Sequence, residues 1–266
     1  VISTEPADQL DGFAAASTLL SRWLLHAPDD AALARVRDPQ MLRRWPLPPG
    51  EGIEAWHRSR LEGEEATAVR ADHRLLFVGP GALRAAPYES VHRSRDGLLF
   101  EAQTMQVRAA YARWGLAVPR LGRDPDDHIG LELEFVAHLC STALHGAASD
   151  TGSDPDADAD LDAGTDPDAG TDPDAGTDPD AGTDPDAEAG ADVEAADDCA
   201  GAIAAAALTE LDAFVEEHLR QWVPQFAGLV TSHAQTHLYR GVGLLLGDLL
   251  AALTAFSAPV GGPRCR

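Results

Sequence analysis

Asp127 and His128 set a carboxylate beside an imidazole in the stretch Asp124 to Phe135, DPDDHIGLELEF. Two kinds of work suit such a pair. A carboxylate ahead of an apolar helical run caps free amides and complements the helix dipole, and a histidine after it is then a surface residue. Alternatively the pair is a polar, titratable patch for a cationic ligand, since a histidine with its ordinary value of about 6.5 changes charge near neutral pH. His233 and His237 in HAQTH have metal-ligand spacing on a continuous helix, but no glutamate follows the first histidine as a zinc protease requires. Two ExxH triplets, Glu54 to His57 and Glu89 to His92, are the kind that two inward-facing helices contribute to a carboxylate-bridged di-iron bundle. The second follows Pro87 almost directly, which speaks against a regular helix there. No Gly-x-Ser-x-Gly elbow occurs, and the VGPG of residues 78–81 does not make a phosphate loop.

Between these groups lies LLFVGPGALRAAPYESVH, Leu75 to His92. Leu76, Phe77, Pro87 and Tyr88 give this proline- and glycine-broken segment more apolar surface than a solvated loop needs. Next to an acidic pair, it suits a peptide with both cationic and apolar parts.

Composition narrows the chemistry. All 20 basic residues are arginine, so a P-loop lysine, a Schiff-base lysine and a kinase lysine are all excluded. The net charge is −24, but Asp150 to Asp198 alone carries 19 acidic residues and no basic one. The remainder is only mildly acidic, which argues against a nucleic-acid surface. Cys140, Cys199 and Cys265 are odd in number, with no CxxC, and read as ordinary thiols. The first residues lack a basic then apolar signal pattern, and no uninterrupted apolar run reaches about 18 residues, so the expected location is the cytoplasm, without stable membrane insertion.

Elements that position these residues are helical. Leu10, Phe13, Ser17, Leu20 and Leu24 follow 3,4 spacing between Pro6 and Pro28. Phe100, Thr104, Val107, Tyr111 and Trp114 repeat it, as do Ile129, Leu133, Val136 and Cys140. Leu208, Leu211, Val215 and Trp222 predict a helix ending before Pro224, and Leu238, Val242, Leu245, Leu249 and Phe256 a last long one. Four copies of GTDPDA from Gly164 to Ala187 lack the apolar surface that offsets the entropy of folding. The expectation is an all-α, single-domain bundle. Residues 1–146 form its first part and 201–258 its last two helices, with a disordered acidic insert at 147–200 and a flexible tail at 259–266.

LFVGPGALRAAPYESVH, then TMQVRAAYARWGL, then PDDHIGLELEFVAHL, resemble in order and spacing the TorD/DmsD family of chaperones for molybdenum-containing oxidoreductases. The resemblance is strong over Leu75 to Leu144 and looser through helix one and FVEEHLRQWVPQF onward, while the acidic repeat has no counterpart. It implies an all-helical, non-enzymatic cytoplasmic protein without cofactor or metal. Such a protein binds the twin-arginine leader of a reductase catalytic-subunit precursor, holds the apoenzyme open for its molybdopterin, and exists as a monomer or domain-swapped dimer. Carried over by position, the leader surface is Leu76, Phe77, Pro87, Tyr88, Ser90, Asp127 and His128, with the apolar members forming a groove wall and Asp127 facing the guanidinium groups. His92 stands where a tyrosine is usual and His73 where some members have a bulky aromatic. The rival expectations are a nitrate-reductase-type assembly factor that acts without a leader, and the di-iron enzyme.

Overall fold

The computed structural model describes residues 6–118, 125–150 and 189–256, with side chains throughout except at 147–150 and 189–198. The acidic repeat, the 259–266 tail, Asp124 and Cys265 lie outside the described residues. The helices are α1 (Pro6–Leu25), α2 (Asp30–Val36), α3 (Pro39–Arg43), α4 (Glu51–Leu61), α5 (Ala66–His73), α6 (Glu89–Arg93), α7 (Ala102–Arg113), α8 (Ile129–Asp150), α9 (Ala189–Phe214), α10 (Arg220–His233) and α11 (His237–Phe256). A π-helical turn, Arg74–Val78, extends α5, and a second, Val215–Leu219, joins α9 to α10. Among the described residues there is no strand, only one isolated antiparallel bridge between Tyr88 and His128.

The helical periods fold as their spacing predicts. Leu10, Phe13, Ser17, Leu20 and Leu24 are all buried, and α1 lies along α8, whose Ile129, Leu133, Val136 and Cys140 are also buried. On its other flank α8 packs against α9. The apolar face of α11 sits between α4 and α10. By length and composition α11 alone among the described helices could cross a membrane, but Leu238, Val242, Leu245 and Leu249 are spent on these neighbours. Close approach there depends on Gly241: a Cβ at this position would lie 2.4 Å from the Trp56 ring, whose Nε1 donates to the Leu238 carbonyl at 2.9 Å.

Two carboxylates far away in sequence hold the start of α11. Asp72 Oδ2 accepts from the amides of Gln235 and Thr236 and from the Thr236 hydroxyl, and Glu64 accepts from the amides of His237 and Leu238. Helix starts leave amides free, and these acids take them up.

Three expectations change. Pro224 lies inside α10, because the π turn just before it widens the backbone register where the missing amide would otherwise break the ladder. Phe100 belongs to no core face: it is 49% exposed, at φ 61°, in the loop before α7. Leu208 is likewise exposed, at 37%. The described part of α8 runs to Asp150 and that of α9 begins at Ala189.

Neither metal arrangement forms. His233 ends α10 and His237 begins α11, so the break in the helix between them removes the one-turn spacing. Glu89 to His92 is helical after all, in α6, but Glu89 is buried against Arg93 and His218 while Glu54 is exposed. Among the described residues no group of three histidine, cysteine or carboxylate side chains could hold an ion.

Candidate functional site

The segment after α5 folds back on itself. Leu76 and Phe77 lie in the π turn, and Gly79 and Gly81, at φ 97° and 104°, let the chain reverse so that the Ala85 amide reaches the Leu76 carbonyl at 3.0 Å. The returning strand-like piece meets the entrance to α8. Glu89 N–H donates to the Asp127 carbonyl at 3.0 Å and Ile129 N–H to the Pro87 carbonyl at 2.9 Å, which closes the bridge around Tyr88 and His128. The two rings meet edge to face with centroids 5.2 Å apart.

His128, not Asp127, caps α8: its Nδ1 accepts the Gly130 amide at 3.0 Å. That bond requires an unprotonated Nδ1. Burial, assisted by the neighbouring His73 and His26, pushes the His128 imidazole down to about 4, so it is neutral through the physiological range and adds no charge near pH 6.5.

Asp127 caps a helix other than its own. Its Oδ2 accepts the Ser90 amide of α6 at 2.7 Å and its Oδ1 the Thr104 hydroxyl of α7 at 2.8 Å, and the side chain is wholly buried. No cation pairs with it among the described residues, so its charge is met only by N–H and O–H donors. Its neighbours carry more buried charge. Glu89 binds Arg93 through one oxygen and His218 Nδ1 through the other at 2.8 Å. Asp126 binds Arg108 through Nη2 at 2.6 Å. Among the described residues Glu132 accepts only from Trp222 Nε1, at 3.3 Å, and its second oxygen has no partner. Burial first, then the charges of Glu89 and Asp127, push the Glu132 carboxyl well above the usual range, so it holds its proton.

The expected binding residues therefore divide by depth. Tyr88 and His128 are half-buried and in contact. Leu76, Phe77, Pro87, Ser90 and Asp127 are buried beneath them. Leu76 and Phe77 are core residues rather than an open groove wall, Phe77 lying against His73, Phe226 and Tyr239 with ring centroids 5.3–6.1 Å apart. The two unusual histidines serve as aromatics. His92 stacks on Trp222 at 5.2 Å, and His73 meets Phe77 edge to face. Sequence reasoning missed Thr104 and His218, which join α7 and the second π turn to this cluster; nothing in their local sequence signals it.

The family model described as nitrate reductase delta subunit matches residues 49–164, a span that contains both halves of the bridge. Over this span the chain is similar to chaperones of the TorD/DmsD family. A probable Tat proofreading chaperone DmsD of Haemophilus influenzae is 24% identical over 131 residues, which cover 48% of this chain and 64% of that protein. A chaperone protein TorD of Vibrio cholerae is 31% identical over 91 residues, 34% of this chain and 41% of that protein. A Tat proofreading chaperone DmsD of Salmonella typhi is 26% identical over 141 residues, 52% of this chain and 68% of that protein. The chain thus spans less than two thirds of the length of the Haemophilus and Vibrio relatives. These TorD/DmsD relatives carry the names of chaperones, not of enzymes.

Proposed function

We propose that this chain is a cytoplasmic chaperone of the TorD/DmsD family that binds the twin-arginine leader of a molybdenum-containing oxidoreductase precursor and holds the apoenzyme for cofactor insertion. The observation that carries this is the Tyr88–His128 bridge over an unneutralised Asp127, inside the span that matches the family. Tyr88 and His128 make the contacts with the leader. Leu76, Phe77, Pro87 and Ser90 hold them in place from below.

The account of arginine recognition follows from charge. Asp127 has two hydrogen-bond donors but no counter-ion among the described residues, and in a poorly screening interior its field reaches the overlying face. A leader with two adjacent guanidinium groups is drawn to that face, and its apolar run lies on the Tyr88 ring. Calorimetric titration with a synthetic leader tests this: Tyr88→Ala is expected to weaken binding by about 1–3 kcal/mol, the range of an aromatic anchor. Unchanged binding by a folded Tyr88→Ala protein contradicts the assignment.

The description of the matching family model favours one rival, an assembly factor that grips the body of its client without a leader. A client stripped of its leader separates the two. The leader-binding account expects loss of capture, the rival expects it to persist. For the di-iron reading, Glu89 is already engaged by Arg93 and His218, and Glu54 faces solvent.

A further inference from the structure

A cavity of about 520 Å³ opens on the far side of α1, between that helix, α2, α3 and the start of α4. None of the residues of the Tyr88–His128 face lines it. Leu19, Val36, Met41 and Ile53 supply aliphatic wall, and the indole of Trp45 stands edge to face on Trp56 with centroids 5.8 Å apart. Ala14 and Ala15, small residues of α1, leave the space open. Its volume lies within the range of about 300–1,000 Å³ usual for small-molecule sites.

Charge at this cavity runs against that of the chain. Arg22, Arg35 and Arg44 line it with Asp11 as the one acid, in a protein of net charge −24. Arg22 reaches Asp29 only at 4.0 Å with both side chains exposed, a weak pair. Arg35 and Arg44 have no carboxylate within ion-pair distance among the described residues. The indole Nε1 of Trp45 is shielded from water and has no acceptor among the described residues. A buried donor without a partner is costly, and a ligand oxygen would satisfy it.

We infer that this cavity is a binding site for a small amphipathic anion, an apolar body carrying one carboxylate or similar head group. The body fills the aliphatic and indole walls, and Arg35 and Arg44 hold the head group. Charge complementarity selects this occupant: an apolar neutral molecule leaves the arginines unused, and the cationic leader is repelled by them.

The test uses the full chain with 8-anilinonaphthalene-1-sulfonate, its uncharged analogue N-phenyl-1-naphthylamine, and decanoate below its micelle concentration. The dye is expected to bind saturably at one site, and decanoate, but not decan-1-ol at equal concentration, to displace it. Arg35→Gln with Arg44→Gln is expected to weaken dye and decanoate about tenfold and to leave the uncharged analogue unaffected, as loss of charge-assisted bonds demands. Ala15→Trp, at an exposed position, is expected to block both probes, and Thr18→Trp serves if the first variant fails to fold. Unchanged dye affinity in the arginine variant would mean that these residues serve only the ends of α2 and α3, and overturns the proposal. So does dye binding that survives either tryptophan, displacement of the dye by the leader peptide, or binding of phosphatidylglycerol vesicles in place of free decanoate.

Discussion

Asp127 accepts the amide of Ser90 at 2.7 Å from across the fold, so the start of α6 is capped by the residue that leads into α8. Its other oxygen takes the Thr104 hydroxyl at 2.8 Å, tying in α7. One buried carboxylate thus fixes three helices beneath the Tyr88–His128 bridge. Capping and recognition compete for this residue in the sequence, and under the proposed function the same charge serves both.

Asp127→Ala strands a buried amide and a hydroxyl, and is expected to cost about 2–4 kcal/mol in chemical denaturation, at about 1–3 for each orphaned group with partial relaxation. Asp127→Asn is expected to cost about 1 kcal/mol, because its oxygen still accepts from Ser90 and its amide can donate to Thr104. Equal losses in the two variants would mean that the bonds to α6 and α7 do not hold the site.

Phe77 and Tyr88 are expected to separate cleanly. Phe77→Ala opens a hole in the core and should cost about 3–5 kcal/mol of stability. Tyr88→Ala, at a half-buried position, should cost much less. A small stability loss for Phe77→Ala, measured by thermal and denaturant unfolding, would return that residue to the surface.

Stability should depend on pH from two directions. The folded His128 titrates near 4, below its unfolded value of 6.5, so its contribution is full above pH 6.5 and falls as pH drops toward 4. Buried His73, also held at about 4, acts in the same sense. Glu132 has the opposite sign: its raised carboxyl contributes fully below the unfolded value of 4.5 and loses that contribution as pH rises through the folded value. Glu132→Gln, which mimics the protonated acid, is therefore expected to gain on the wild type as pH rises above 4.5, and His128→Gln to flatten the decline below 6.5. Denaturation curves from pH 4 to 8 check both. A Glu132→Gln protein that loses ground with rising pH would contradict the protonated assignment.

Replacing residues 151–188 by a short Gly/Ser linker is expected to keep a single cooperative unfolding transition, with a loop-closure change of about 1 kcal/mol or less. The cut stays between Asp150 and Ala189, where the flanking helices end and begin. Loss of cooperativity on calorimetry would give the repeat a part in the fold.

Helix periods were legible because spacing alone decides which face is apolar, as Leu10 to Leu24 and Leu238 to Leu249 show. Pro224 misled because a π turn lies in the backbone, not in a residue pattern. Of the residues that the resemblance gathered, Tyr88, Ser90, Asp127 and His128 meet in the fold. Depth was not legible. Nothing local says that Asp127 bonds to residues 37 and 23 positions away, or that an apolar pair in a broken segment turns inward to Tyr239. The caps Asp72 and Glu64 escaped notice for the same reason, their partners being more than 160 residues distant.

The most direct measurement is a double-mutant titration of wild-type and Asp127→Asn protein with a twin-arginine leader and with the same leader carrying glutamines in place of the arginines. Asp127→Asn is expected to weaken the native leader clearly and the glutamine leader much less, the non-additivity that a charge acting on the arginines requires. Because His128 stays neutral, the native leader's affinity should be level from pH 5.5 to 8. Equal losses for both leaders, or none for either, in an Asp127→Asn protein of near-native stability would show that Asp127 is a cap alone and contradict the proposed recognition.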